Sequence, residues 1–159
     1  MLEATQLTLA LLDELGLQSF LKTSGGKGMH IVVPLTRRAG WDEVKAFSQA
    51  MVQHLAGLFP ERLSAVSGPK NRVGRIFIDY LRNGKGATTV CAYSLRARAG
   101  LPVSVPIRRE ELTELEGANQ WNLLNLGKRL VEGDDPWADY GRVRQSISKD
   151  LRRRMGVES

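Results

Sequence analysis

An internal disulfide framework is excluded at once, because the chain has a single cysteine, Cys91, and one thiol cannot close a bridge with itself. Aromatic residues are scarce at 6%. No apolar run reaches the length of a membrane span, and the start of the chain lacks the basic, apolar and small-residue succession of a secretory signal. These absences lead to an expectation of a cytoplasmic protein with no membrane contact. Internal repeats, low-complexity tracts and a recognisable linker are also missing, so residues 1–159 are expected to form a single domain. Cys91 stands in the apolar stretch Thr89-Val90-Cys91-Ala92-Tyr93, where a small core residue is expected rather than a nucleophile.

What is present is ordinary for a globular chain: 42% apolar residues and 25% charged. Lys and Arg number 23 against 17 Asp and Glu, a formal charge of +6. That excess favours an anionic partner such as nucleic acid, although charge alone names no function.

Apolar residues at 4, 7, 11, 12 and 15 recur at helical spacing before Gly16, which predicts a first amphipathic helix over residues 2–15. Residues 19–23, the glycine-rich run Ser24-Gly25-Gly26-Lys27-Gly28 and residues 29–35 read as strand, turn and strand, hence a hairpin. A second amphipathic helix is predicted from about Trp41 to Leu58, with Val44, Phe47, Met51, Leu55 and Leu58 on one stripe. Ser67-Gly68-Pro69-Lys70-Asn71-Arg72 is a basic loop that feeds a predicted strand at 75–80. After a turn at Asn83-Gly84-Lys85-Gly86, another strand is predicted at 88–94. Together these give a sheet of about four strands, mostly antiparallel, with flanking helices, an α+β fold. Beyond Pro106, polar helical turns and the loop Gly133-Asp134-Asp135-Pro136-Trp137 precede an arginine-rich helix predicted over 139–155.

Chemistry concentrates in few places. The glycines around Lys27 leave room for backbone amides to approach an anion, with Lys27 and the Ser24 hydroxyl as further donors. The run is not a P-loop, which needs Gly-Lys followed by Ser or Thr and a helix. A plain hairpin turn with a solvated lysine is the alternative. His30 shares a strand face with Val32 and is displayed beside the loop, whereas His54 is read as structural. Asp79, in an otherwise apolar strand, needs a cation or a hydrogen-bond donor. Lys70, Arg72, Arg82, Arg96 and Arg98 either converge into an anion pocket or form a solvated basic rim.

Taken as an ordered set, Lys22-Thr23-Ser24-Gly25-Gly26-Lys27-Gly28-Met29-His30, Ser67-Gly68-Pro69-Lys70-Asn71-Arg72-Val73-Gly74 and Ile76-Phe77-Ile78-Asp79-Tyr80-Leu81-Arg82-Asn83 resemble the polymerase domain of bacterial DNA ligase D, of the archaeo-eukaryotic primase superfamily. Ala92-Tyr93-Ser94-Leu95-Arg96-Ala97-Arg98 and Gly117-Ala118-Asn119-Gln120-Trp121-Asn122 continue the resemblance. It implies a primase-like (RRM-like) sheet. Ser24, Lys27, His30 and Arg82 would meet the incoming nucleoside triphosphate, Arg72 and Arg96 would flank the catalytic centre, and Asp79 would be the last of three metal-binding carboxylates. The implied reaction joins a primer 3′-hydroxyl to the α-phosphorus with loss of pyrophosphate, assisted by a divalent cation, Mg²⁺ or Mn²⁺. DNA ends, the Ku end-binding protein and a ligase domain are the implied partners, in end joining of double-strand breaks.

The chain departs from the family in having no Asp-x-Asp anywhere, the strand motif that aims two carboxylates at one pair of ions. Asp134 and Asp135 are adjacent rather than alternate. Relative to the family the chain corresponds to the C-terminal part of the domain, so an exposed sheet edge and pairing with a second copy or a complementing N-terminal fragment are expected. A polymerase fragment, a non-catalytic nucleotide- or nucleic-acid-binding module and a structural remnant without a binding role all stay open on these grounds.

Overall fold

The alternation flanking the glycine run folds as expected. Strands β1 (Phe20–Thr23) and β2 (Met29–Val32) form an antiparallel hairpin in which Lys22 faces His30 across the ladder. In the computed structural model, which describes residues 1–157, this hairpin belongs to the first of two compact units, residues 1–2, 18–34 and 90–143.

A third strand completes the sheet of this unit. β5 (Pro106–Ile107) pairs antiparallel with β1, giving the order β2-β1-β5. The chain leading into it is the most buried in the molecule: Val103, Ser104 and Val105 have no solvent exposure. Thr23 ties it down, its N–H donating to the Val105 carbonyl (2.9 Å) and its hydroxyl accepting from the Val105 N–H (3.0 Å). Proline cannot donate to a ladder, which confines this Pro102- and Pro106-bearing segment to a sheet edge.

The strand expected at 88–94 does not form. Tyr93 adopts φ +66, a left-handed conformation that interrupts an extended run of L-residues. Residues 93–96 nevertheless lie beside 102–104, through bonds from Tyr93 N–H to the Ser104 carbonyl (2.6 Å) and from Arg96 N–H to the Pro102 carbonyl (2.8 Å). Cys91, expected in the core, is exposed here, because the loop carries it outward. Arg129, on α3 (Leu126–Val131), pairs with Glu111, donates to the Pro106 carbonyl (3.2 Å) and lies over Trp121 at 4.8 Å. For Glu111, burial alone raises the carboxyl pKa, but the Arg129 hydrogen bond and charge outweigh it and bring the pKa below its ordinary value. Trp137 donates its indole N–H to the Leu21 carbonyl (2.8 Å) and joins Phe20 and Tyr140 in an aromatic cluster.

The second unit holds residues 3–17, 35–89 and 144–157. Helix α1 (Leu2–Glu14) buries Leu9, Leu11 and Leu12 and ends at Gly16, whose φ of +73 suits a helix terminus. Helix α2 (Trp41–Leu58) buries Phe47, Met51, Val52 and Leu55, while Leu58, expected on the same stripe, is exposed. It packs against β3 (Leu63–Ser64) and the 3-10 turn Leu81–Asn83.

The strand expected over 75–80 contracts to β4 (Ile76–Phe77), which pairs in parallel with β3. The expected single sheet of about four strands is thus a three-stranded antiparallel sheet and a separate two-stranded pair, within the α+β class foreseen. The long final helix expected over 139–155 is also replaced, by a 3-10 turn at Tyr140–Arg142 and α4 (Lys149–Arg154). Ser148 sets the start of α4, its hydroxyl accepting from the Leu151 N–H (3.1 Å), the N-cap geometry that serine favours over a helix interior. Among the described residues no helix is long and apolar enough to cross a membrane.

Candidate functional site

Four predicted residues, Ser24, Lys27, His30 and Arg96, belong to the first unit and gather at its glycine loop. Ser24 is buried, and its Oγ accepts from the N–H groups of Gly26 (3.0 Å) and Gly28 (3.1 Å). The Ser24 N–H donates to the Gly28 carbonyl and the Gly25 N–H to the Ala118 carbonyl, each at 3.0 Å. Four amides of the loop are therefore spent on its own structure. The expected cradle of backbone donors is not built in this way, and the donors for an anion are chiefly side chains.

The glycines serve those side chains. Gly25 has φ +71, and a Cβ there would lie 2.9 Å from Cγ of Arg96; at Gly26 a Cβ would lie 2.7 Å from Nη1 of Arg98. Without side chains, the loop admits two guanidinium groups at close range. Arg96 donates to the Ser24 carbonyl at 2.8 Å, while Lys27 is exposed at the tip. Cationic groups so placed form a concentrated positive edge suited to a polyanion.

Beneath this edge lies Lys22, which carried no separate assignment from the sequence. Its side chain is buried, with the residue 4% exposed. Nζ lies 2.9 Å from His30 Nδ1, 2.6 Å from the Val90 carbonyl and 3.1 Å from Ser104 Oγ. Burial pulls its pKa down to about 8; Cys91 opposes that shift and the Arg96 charge adds to it. The sequence offers only its place directly after Phe20 and Leu21 in a strand, a weak signal, because lysine is almost never fully buried unless it finds partners.

The remaining predicted residues, Arg72, Asp79 and Arg82, belong to the second unit. Asp79 is exposed and lies beyond β4, where its Oδ1 accepts from the Leu81 N–H (2.8 Å) at the entrance to the 3-10 turn. The apolar strand environment expected for it is absent, so it needs no buried counter-ion. Arg72 lies over the Phe77 ring at 5.2 Å, and Arg82 reaches the Thr88 carbonyl at 3.5 Å. No group of three His, Cys, Asp or Glu side chains able to hold a metal ion occurs among the described residues. A cleft of about 370 Å³ in the second unit, lined by Thr36, Arg38, Lys149 and Arg152 among others, contains none of the predicted site residues.

Comparison with known proteins bears on this arrangement. A family model for the primase-polymerase domain of LigD matches residues 1–137. The multifunctional non-homologous end joining protein LigD of Pseudomonas aeruginosa is 72% identical over 98% of this chain and 19% of its own length. The bifunctional non-homologous end joining protein LigD of Bacillus subtilis is 33% identical over 83% of this chain and 22% of its own. Among solved structures, the polymerase domain of Mycobacterium tuberculosis ligase D in complex with DNA matches with a TM-score of 0.78 at 26% identity, covering 86% of this chain and 47% of that one. This chain spans about a fifth of the length of the first two relatives.

Proposed function

This chain belongs to the LigD primase-polymerase domain family, and from that membership we propose that it binds a nucleoside triphosphate and DNA ends as part of a nucleotidyltransferase of double-strand-break end joining. The observation that carries the reading is the side-chain gathering at the glycine loop, with Arg96 on the Ser24 carbonyl and Lys22 on His30. Ser24 and His30 are assigned to the triphosphate as hydrogen-bond donors, Lys27 and Arg96 as mobile and fixed cations. In the implied transfer, a primer 3′-hydroxyl attacks the α-phosphorus and the bond to the leaving pyrophosphate breaks. Donors already oriented at the loop would spread the charge gathering on the phosphate oxygens, and their preorganisation is where such a site gains rate. Arg72, Asp79 and Arg82 enter the proposal on the family resemblance alone. The partners proposed with this activity are DNA ends, Ku, a ligase domain, and either a second copy or a complementing fragment.

Nucleotidyltransferases of this kind generally use divalent metal ions, which bring neutralisation of phosphate charge. The residues of this chain do not fit a complete metal centre. Asp79 is one exposed carboxylate committed to a backbone N–H, whereas Mg²⁺ demands a near-octahedral set of oxygens. No step is therefore assigned to a metal held by this chain alone, and Asp79 is proposed only as one ligand among several. The same observation favours a second reading, a nucleotide- and nucleic-acid-binding module without catalysis.

Titration of the full chain with fluorescently labelled ATP tests the shared part of both readings. Saturable binding weakened by Lys27→Ala and His30→Ala is expected; no binding, or binding indifferent to both changes, overturns it. Extension of a primed duplex with Mn²⁺ and ribonucleotides separates the two, since only the enzyme extends the primer and loses that activity on Asp79→Ala.

A further inference from the structure

The nitrogen of Lys22 has three close partners, and their chemistry constrains the imidazole beside it. We propose that Lys22 is a positioning residue that holds His30 as the Nε2–H tautomer, so that the histidine meets a triphosphate as a hydrogen-bond donor. This rests on the proposed triphosphate site.

An ammonium has three hydrogens to donate and no lone pair to accept with. The Val90 carbonyl can only accept. Ser104 Oγ has its hydrogen committed to the Thr23 carbonyl at 2.6 Å, which leaves a lone pair for Lys22. The third N–H then points at His30 Nδ1, 2.9 Å away, and that atom must present its own lone pair. In a neutral imidazole the proton accordingly resides on Nε2, by the logic through which a partner on one ring nitrogen fixes the other. The ladder enforces the contact, since Lys22 and His30 are directly opposite in β1 and β2. The other ionisable groups acting on Lys22 are Cys91 and Arg96. With a pKa near 8 the ammonium persists at neutral pH and is lost just above it, so the lock is expected to weaken as pH rises through that value.

Two measurements on the full chain decide the matter. Long-range ¹H–¹⁵N NMR at pH 7, with His54→Gln used to assign the two histidines, should show His30 Nδ1 unprotonated and Nε2 protonated. Protonated Nδ1 in the unmodified chain overturns the proposal whether or not any variant folds. Labelled-ATP affinity measured from pH 6.5 to 9.5 should fall above about pH 8. Cys91→Ser should retain that step. Lys22→Met should remove it and bind roughly tenfold more weakly at pH 7, the scale of one oriented charge-assisted contact, while Lys22→Arg restores part of the loss. Unchanged affinity, pH profile and imidazole shifts in folded Lys22→Met also overturn it. If no chain binds ATP, the triphosphate reading fails, and the NMR result alone still upholds or refutes the tautomer assignment.

Discussion

Burying an ammonium costs free energy, and at the scale of single residues Lys22 shows how that cost is linked to pH. Its folded pKa of about 8 lies below the ordinary value of 10.5. Between those values the unfolded chain holds a proton that the folded chain has released, so the residue's contribution to stability rises with pH across the window. Below pH 8 the full penalty applies. Urea denaturation of the unmodified chain and of Lys22→Met at pH 7 and pH 10 should therefore show a difference in stability between the two proteins that shrinks or reverses with pH, with the unmodified chain gaining relative to the variant. A gap between them that is the same at both pH values would show that Lys22 titrates as if solvated. The comparison between the two proteins, rather than either curve, carries the test.

At the scale of elements, the glycine loop separates two effects that a glycine-to-alanine change usually mixes. Gly25 combines a left-handed φ with the Arg96 Cγ at 2.9 Å and the Val103 backbone at 3.5 Å from a built Cβ. Gly25→Ala should destabilise the chain by about 1–2 kcal/mol from the conformation alone, with the close contact adding to it. Gly26 has an ordinary φ, and its contact is the far end of a flexible arginine. Gly26→Ala should leave the melting temperature nearly unchanged, yet displace Arg98 and weaken labelled-ATP binding. Gly28, with nothing near its Cβ, serves as the neutral control in both assays. Equal melting temperatures for all three variants would refute the assigned role of Gly25. The same scale shows what was legible in the sequence. α1, α2 and the β1–β2 hairpin could be read because each carries its own periodicity or turn. β5 could not, because Pro102 and Pro106 mask a segment whose strand character comes from Thr23 and Leu21 across the ladder. The strands expected at 75–80 and 88–94 had suitable composition, but β propensity is realised only where a partner is available. The site divides likewise. Ser24, His30 and Arg96 were legible as motif residues, whereas Lys22 acquires its meaning from Ser104 and Val90, remote in sequence.

For the whole molecule, the excess of 23 basic over 17 acidic residues makes the proposed binding of DNA testable through its dependence on salt. One solved relative is a polymerase domain in complex with DNA, and this chain covers 47% of it. Side chains that neutralise phosphates release condensed counterions, so each contact contributes a slope of about −0.9 to the dependence of log affinity on log salt concentration. Binding of a short duplex, followed by fluorescence anisotropy between about 50 and 200 mM NaCl, should weaken steeply and linearly on that plot. Arg72→Ala and Arg82→Ala alter exposed cations of the second unit, and each should flatten the slope by roughly one contact's worth with no preference among duplex sequences. His54→Gln, an exposed change on α2, should leave the slope alone. The distinction matters because a charge excess spread over a solvated surface and one organised around phosphate give similar affinity at a single salt concentration. Only the organised arrangement loses a discrete contact when one arginine is removed, and a slope untouched by both substitutions would show that neither Arg72 nor Arg82 meets the duplex.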